Sequence, residues 1–483
     1  MDAPSATPVS TASRVAWNTS VQAGARFAAV ALGLLTTVVL TRHLGVQAYG
    51  DYVTITIYVG LFAVLLDWGT ATILVRELAA RREAAHDLVA KALALRALLS
   101  VGVAVVAASL LPLLYGGVER VRLGVLVALP FLLFNAVGTT VAAYFQSELK
   151  MGRVAAGELT GQAVGTGVIV ALVLLDRSFY EIVAAFALAG AANAAVVVSL
   201  AYGRVPLRPT VDLAAWRRLF VTALPLGIAL LLNAVYFRLD ALLLSVLRDS
   251  HEVGIYGVAY RFLEVTVPFS HFLVLALFPL LAAAAHDGAW DALRRGTQRG
   301  FDVLVVVAVP IVLGTIAVAP ELVPLLVGRD FEESVLPVRI VIVGAGLLFL
   351  TWLLVYLLVA IGRQQAVLWL NAGVLAFNVV LNLLLIPRYG YVAAASVATA
   401  SEVVVLAGAL VLARRFAGFV PSLSVAARAV GAGGALFAAA AMLPGPLPFR
   451  IAAGALVYAA GLYVLRVPRA LGIGAVIADL RRR

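Results

Sequence analysis

The chain has 483 residues, 63% hydrophobic and 13% charged, a mean hydropathy of +1.04 and no cysteine. Soluble domains carry roughly 45–50% apolar residues, so a water-soluble fold is excluded, and the missing cysteines exclude disulfides and thiolate metal sites. The net charge of +11 is spread along the chain without a basic domain, which removes nucleic acid as a partner.

Runs of about 20 mostly apolar residues are the signature of membrane-crossing helices. Fourteen occur, near residues 16–41, 53–75, 92–114, 121–144, 155–175, 180–202, 218–247, 254–284, 301–319, 335–361, 365–386, 391–413, 426–443 and 449–465. The expected fold class is therefore all-α, a polytopic membrane protein of about fourteen transmembrane helices. The first run lacks a basic head and is interrupted by Gln22 and Arg26, which argues for a retained span rather than a cleaved signal peptide. Lys and Arg number 23 in the loops on the side of the N-terminus and 8 on the other, with Arg26, Arg96, Arg238, Arg261 and Arg339 inside spans. By the positive-inside rule both termini are expected in the cytoplasm, and the span of highest interest is any that buries charge.

In the first span Asn18, Gln22, Arg26, Gly33 and Thr37 fall along one helical face. Such a stripe fits contact with a watery cavity; helix–helix hydrogen bonding is the competing reading for its amides. The connection Thr41–Tyr52 reads as the first turn. The second span runs on to Asp67-Trp68-Gly69 and leaves the membrane at Arg76-Glu77; Arg76 pairs with Asp67 or caps a helix, two alternatives that spacing does not separate. Asn135, Thr139 and Gln146 mark span four, and Glu158, Gln162 and Thr166 mark span five. Glu158 is either a rim carboxylate or a coupling group.

The stretch Trp216–Glu264 holds the densest interior charge. In span seven Asn233, Tyr236 and Asp240 share a face, while Arg238, two residues from Asp240, points elsewhere. Span eight carries Tyr256, Tyr260 and Glu264 at steps of four, with Arg261 placed to pair with Glu264. Pro225 and Pro268 interrupt these spans, as happens where a membrane helix kinks. An ionisable residue at membrane depth is a functional candidate by default, because burying its charge in hydrocarbon is costly. Later, Asn371, Asn378 and Asn382 precede the turn Ile386–Tyr391, and Ser396, Thr399 and Glu402 follow it. Spans thirteen and fourteen are nearly free of polar residues, and the basic tail is too short in its apolar centre to cross; it fits the anionic surface of the inner leaflet.

Tyr49-Gly50 and Tyr256-Gly257 lie 207 residues apart, and Gly152-Arg153 and Gly362-Arg363 lie 210 apart. These offsets imply two six-helix blocks of the same orientation, a pseudo-twofold axis along the membrane normal, and a substrate path between them. The expected organisation is an N-terminal lobe over 1–203, a second lobe over 204–415, two further helices over 416–466 and a basic tail over 467–483.

Four stretches taken in order are distinctive: R-H-L-G-V-Q-A-Y-G-D-Y from Arg42, D-W-G followed by V-R-E-L-A from Asp67, L-P-L-G with Y-F-R-L-D and V-G-I-Y-G-V-A-Y-R between Leu224 and Arg261, and N-V-V-L-N-L-L-L-I-P-R-Y-G-Y from Asn378. Together they resemble the polysaccharide and oligosaccharide flippases, Wzx-like members of the superfamily that includes multidrug/toxin exporters and the peptidoglycan-precursor flippase. The resemblance covers roughly residues 14–415. It implies two six-helix lobes plus a helix pair in the plasma (inner) membrane, and alternating-access transfer of an isoprenoid-pyrophosphate-linked oligosaccharide to the outer leaflet for cell-surface polysaccharides such as O-antigen.

The residues fit that chemistry. Arg26, Arg238 and Arg261 offer forked donors for phosphate; Asn18, Gln22 and Asn233 add amides, and Tyr236, Tyr256 and Tyr260 offer faces for sugar rings. Asp67, Asp240, Glu264 and Glu158 are candidate charge partners or carriers of a coupling proton or sodium. No cofactor, metal site or catalytic constellation is expected. The expected partners are the lipid-linked oligosaccharide, anionic membrane lipids and other polysaccharide-assembly proteins. A drug/cation antiporter shares the architecture but calls for an acidic lumen. A membrane-embedded glycan polymerase, ligase or glycosyltransferase calls for a sizeable soluble domain or long external loop that this sequence lacks.

Overall fold

In the computed structural model, residues 11–80, 85–205 and 207–471 are described. The basic tail expected over 467–483 lies mostly outside them. Among the described residues the chain is helical and without strands, as hydrocarbon demands of backbone that must satisfy its own hydrogen bonds.

Twelve helical segments among the described residues are long and apolar enough to cross a membrane. Two of them, Gly24–Ala80 with 57 residues and Gln364–Ala417 with 54, would each extend about 80 Å at 1.5 Å per residue, more than twice the roughly 30 Å of a hydrocarbon core. Each is broken near its middle at a glycine outside helical geometry, Gly45 (φ 69°) and Gly390 (φ 54°). Only glycine enters that region without a Cβ penalty, so each segment counts as two passages and the total is fourteen. The connections expected over Thr41–Tyr52 and Ile386–Tyr391 are thus not open loops. Helix runs up to and away from a single glycine.

The chain divides into two compact units, Met1–Leu242 and Leu243–Arg483. The first holds α1 (Thr11–Asp67), α2 (Thr70–Ala80), α3 (Ala85–Leu114), α4 (Glu119–Ala128), α5 (Pro130–Ser147), α6 (Met151–Leu174), α7 (Phe179–Ala201) and most of α8 (Leu213–Leu247). Between α4 and α5, Pro130 lacks an N–H and restarts the helix without reversing it, so 119–147 forms one bent passage. Helices α6 and α7 approach closely along Gly157, Gly161 and Gly165, where a Cβ at Gly161 would lie 2.8 Å from the Ala189 carbonyl oxygen. Small residues four apart let membrane helices pack backbone to backbone. One core gathers Ile55, Tyr58, Leu66, Leu111, Tyr115 and Leu132; another gathers Leu74, Leu78, Leu93, Phe145, Val197 and Leu219.

The second unit holds the end of α8, then α9 (Ser250–His286), α10 (Trp290–Val327), a 3-10 turn (Arg329–Ser334), α11 (Val335–Ala360), α12 (Gln364–Ala417), α13 (Ser424–Met442), α14 (Leu447–Val464) and the short α15 (Val467–Ala470). Asp249 caps α9 by accepting the Glu252 N–H at 3.0 Å. Its core centres on Phe301, Leu304, Phe349, Leu353, Leu357 and Ala413. The added pair α13–α14 is tied down by Arg450, nine-tenths buried, which donates to the Ala440 carbonyl at 2.7 Å and pairs with Glu321 of α10.

Candidate functional site

In the first unit, α8 presents Asn233, Tyr236, Arg238 and Asp240 over two turns. Asn233 is exposed, Tyr236 and Arg238 are half-buried, and Asp240 is 5% exposed. The two-residue offset separates the charges as helical geometry requires: Asp240 turns inward and accepts the N–H of Ala241 at 2.9 Å. Arg238 lies against α1, its Nη1 2.7 Å from the position of a Cβ on Gly60. Among the described residues Arg238 forms no ion pair, and its guanidinium has room there because Gly60 lacks a side chain.

On α1, Gln22 and Arg26 are exposed; the side chain of Asn18 lies outside the described residues. Arg26 acts electrostatically on Glu158 of α6, which is also exposed. Farther along the same pair of helices, Thr36 and Thr166 are hydrogen-bonded at 2.9 Å, while Thr37 of the stripe is buried and donates within α1 to the Gly33 carbonyl at 3.1 Å.

In the second unit, Arg261 and Glu264 pair at 2.6 Å one turn apart on α9, both half-exposed. Tyr256 and Tyr260 have ring centroids 6.3 Å apart, but Tyr256 is 1% exposed whereas Tyr260 is half-buried. The i, i+4 stripe therefore starts inside the core and emerges toward Glu264.

Two interior arginines had neither partner nor role assigned in the sequence: Arg339, which donates to the Ile316 carbonyl at 3.0 Å, and Arg96. Arg96 of α3 is 1% exposed, and its Nη1 lies 2.8 Å from Asp67 Oδ1 as an ion pair without hydrogen-bond alignment. It also donates to Thr139 Oγ1 at 2.8 Å and Thr70 Oγ1 at 3.3 Å. Asp67 thus pairs with Arg96, and Arg76 pairs with Glu77 at 3.3 Å. The available signal was an arginine inside one apolar run and an aspartate at the end of another; which spans adjoin is not encoded in spacing.

A family profile described as "Polysaccharide biosynthesis protein" matches residues 39–336. The chain belongs to that family. The matched part includes both the α1–Gly60 and α8–Arg238 sides of the contact described above. The fold of this family member is similar to that of "Lipid II flippase MurJ, inward closed conformation", with a TM-score of 0.76 and 12% identity over 92% of this chain and 98% of that one. It is also similar to a multidrug resistance MATE family transporter of the MOP superfamily in its outward-facing conformation, with a TM-score of 0.60 and 13% identity over 83% and 95%. A MOP superfamily transporter from Pyrococcus furiosus gives a TM-score of 0.57 at 13% identity over 82% and 93%. At these identities the likeness establishes the fold. Comparison with individually curated proteins gives no match.

Proposed function

We propose that the chain is a flippase that moves an isoprenoid-pyrophosphate-linked oligosaccharide from the inner to the outer leaflet of the plasma membrane by alternating access, with both termini cytoplasmic. The observation that carries this reading is the match to the polysaccharide biosynthesis family over residues 39–336; the likeness to a lipid II flippase supports it at the level of fold. The division into lobes 1–203 and 204–415, a helix pair 416–466 and a basic tail 467–483 belongs to the same proposal, as do anionic lipids and other assembly proteins as partners.

The chemistry assigned to the interior side chains follows from their charge. A pyrophosphate crossing a bilayer needs its hydration replaced, and a guanidinium supplies forked, charge-assisted donors. Arg26, Arg238 and Arg261 are assigned that role, Gln22, Asn18 and Asn233 supporting amides, and Tyr236 and Tyr260 the sugar contacts; Tyr256, 1% exposed, is closed over by the core and packs behind Tyr260 instead. Asp67, Asp240, Glu158 and Glu264 serve as charge partners or carry a coupling proton or sodium. With the inside negative, moving one negative charge outward gains about 2.3 kcal/mol per 100 mV, so the membrane potential drives the cargo in the proposed direction. The reaction is transport, and no catalytic residue is assigned.

The fold likeness to MATE transporters also fits an ion-coupled drug antiporter. Ligand-dependent melting of the purified protein distinguishes the two. A ligand at 100 times its Kd stabilises the folded state by about 2.7 kcal/mol, so a polyprenyl pyrophosphate should raise the melting temperature and a cationic dye should not. Stabilisation by the dye alone would favour the antiporter.

A further inference from the structure

The second passage is interrupted, and its interruption is held by Arg96, which has no part in the substrate path. Helix α1 ends at Asp67 and α2 starts at Thr70; between them Trp68 has φ 42° and Gly69 φ 70°. A left-handed conformation is costly for a tryptophan. The helix is otherwise complete on both sides, with Trp68 N–H donating to Val64 O at 3.1 Å and Ile73 N–H to Gly69 O at 3.2 Å. Three residues secure the break. Arg96 reaches Asp67 before it and Thr70 after it, and ties both to Thr139 on α5. The Thr70 hydroxyl closes the arrangement by donating to the Asp67 carbonyl at 2.6 Å.

The break sits directly on α8. A Cβ on Gly227 would lie 2.6 Å from the Trp68 carbonyl oxygen, and one on Gly69 would lie 3.1 Å from Gly227 N. The Trp68 ring stacks on Phe220 with centroids 5.9 Å apart. Gly227 follows the helix-interior Pro225 by two residues, so the contact falls at a weak point of α8. The segment leading into α8 is fastened beside it: Lys91 pairs with Asp212 at 2.7 Å and the Trp216 indole N–H donates to the Lys91 carbonyl at 2.9 Å.

The seated arrangement is not at its polar optimum. Trp68 Nε1 and Arg96 Nε are both buried without a hydrogen-bond partner among the described residues, while Asp67 Oδ1 is met by the Arg96 guanidinium at 2.8 Å. Orphaned buried polar atoms and a strained residue favour any alternative arrangement in which they are solvated or relaxed. A lock set against such costs is what a two-position element requires.

We infer that Arg96 is a positioning residue of the transport cycle: it holds the Asp67–Thr70 interruption against α8 at Gly227, two residues past Pro225, and unseating that contact is a step of transport. Eleven residues, about three helical turns, separate Gly227 from Arg238. Both therefore lie on the face of α8 that meets α1, and movement of α8 at Gly227 is transmitted to the guanidinium at Gly60. This inference rests on the flippase reading for its role in transport, but the contact itself can be tested without it.

The natural absence of cysteine makes that test direct. Leu226→Cys alone is labelled with a membrane-impermeant maleimide in inside-out vesicles, with and without Arg96→Gln. The double variant Trp68→Cys/Phe220→Cys, at the two positions whose rings stack across this contact, is joined by a reducible thiol-specific cross-linker and compared before and after reduction for glycolipid transfer in proteoliposomes. The expected results are several-fold faster labelling in Arg96→Gln at unchanged protein level, slower labelling restored by Arg96→Lys, and transfer that stops on cross-linking and returns on reduction. Labelling that Arg96→Gln leaves unchanged, or full transfer by the cross-linked protein, would overturn the inference. Labelling does not depend on the substrate, so altered labelling without any glycolipid transfer would retain the lock and refute the flippase reading.

Discussion

Arg238 occupies the space that a side chain on Gly60 would take: its Nη1 lies 2.7 Å from the Cβ position. Gly60→Ala must therefore move a flexible guanidinium rather than backbone, leaving the helices intact while shifting the charge. Hydrogen bonds to charged groups contribute about 1.5–3 kcal/mol, so Arg238→Ala should lower substrate affinity roughly ten- to hundredfold. Gly60→Ala should lower it in the same direction by less, with unchanged melting temperature. Equal affinity in all three proteins, measured by titration with a polyprenyl pyrophosphate, would remove Arg238 from the substrate path.

Gly390 is a second place where glycine is required. Its φ of 54° and ψ of −134° suit no other residue well, and a Cβ there would collide with the Glu252 carboxylate. That carboxylate accepts the Tyr391 N–H at 2.9 Å and pairs with Arg248, so it braces the kink between the two passages of α12. Gly390→Ala should destabilise the protein by about 1–3 kcal/mol from backbone strain, seen as a lower melting temperature in detergent. Glu252→Ala should act at the same place, and the double variant should lose less than the sum of the two.

The segment entering α8 should respond to acid. The Lys91 ammonium first, and the Ala215 N–H second, hold the Asp212 carboxyl below its ordinary range. A carboxyl whose folded pKa is depressed stabilises the fold above its unfolded value, about 3.9, and that contribution disappears as pH falls through the lower folded value. Trp216, bonded to Lys91, reports the docking: its emission should stay constant from neutral pH to about 4 and shift to the red below. Asp212→Asn should show the shifted emission throughout and lose this acid transition. An identical transition in Asp212→Asn would assign it elsewhere.

Much of this fold was legible because long apolar runs have few alternatives in a membrane, and all fourteen correspond to helical passages. The breaks were less legible. A run through 53–75 shows no reason to stop at Trp68, because the interruption is set by the approach of Gly69 to Gly227, far away in sequence. The same limit applies to charge. Helical spacing anticipated Arg261 with Glu264 and kept Arg238 from Asp240, both of which are relations within one helix. Arg96 with Asp67 is a relation between helices and required the packing. Spacing likewise placed Tyr256 and Tyr260 on one face of α9 without revealing that the core closes over Tyr256 alone.

The most direct measurement is the rate at which a lipid-pyrophosphate-linked oligosaccharide crosses the bilayer of proteoliposomes containing the purified chain, compared with Arg26→Ala and Arg238→Ala at matched reconstitution. Rapid transfer by the native protein, a loss of tenfold or more in each variant by the hydrogen-bond magnitudes above, and no accumulation of a cationic dye are the predicted results. Dye transport without glycolipid transfer, or transfer unaltered in both variants, would contradict it.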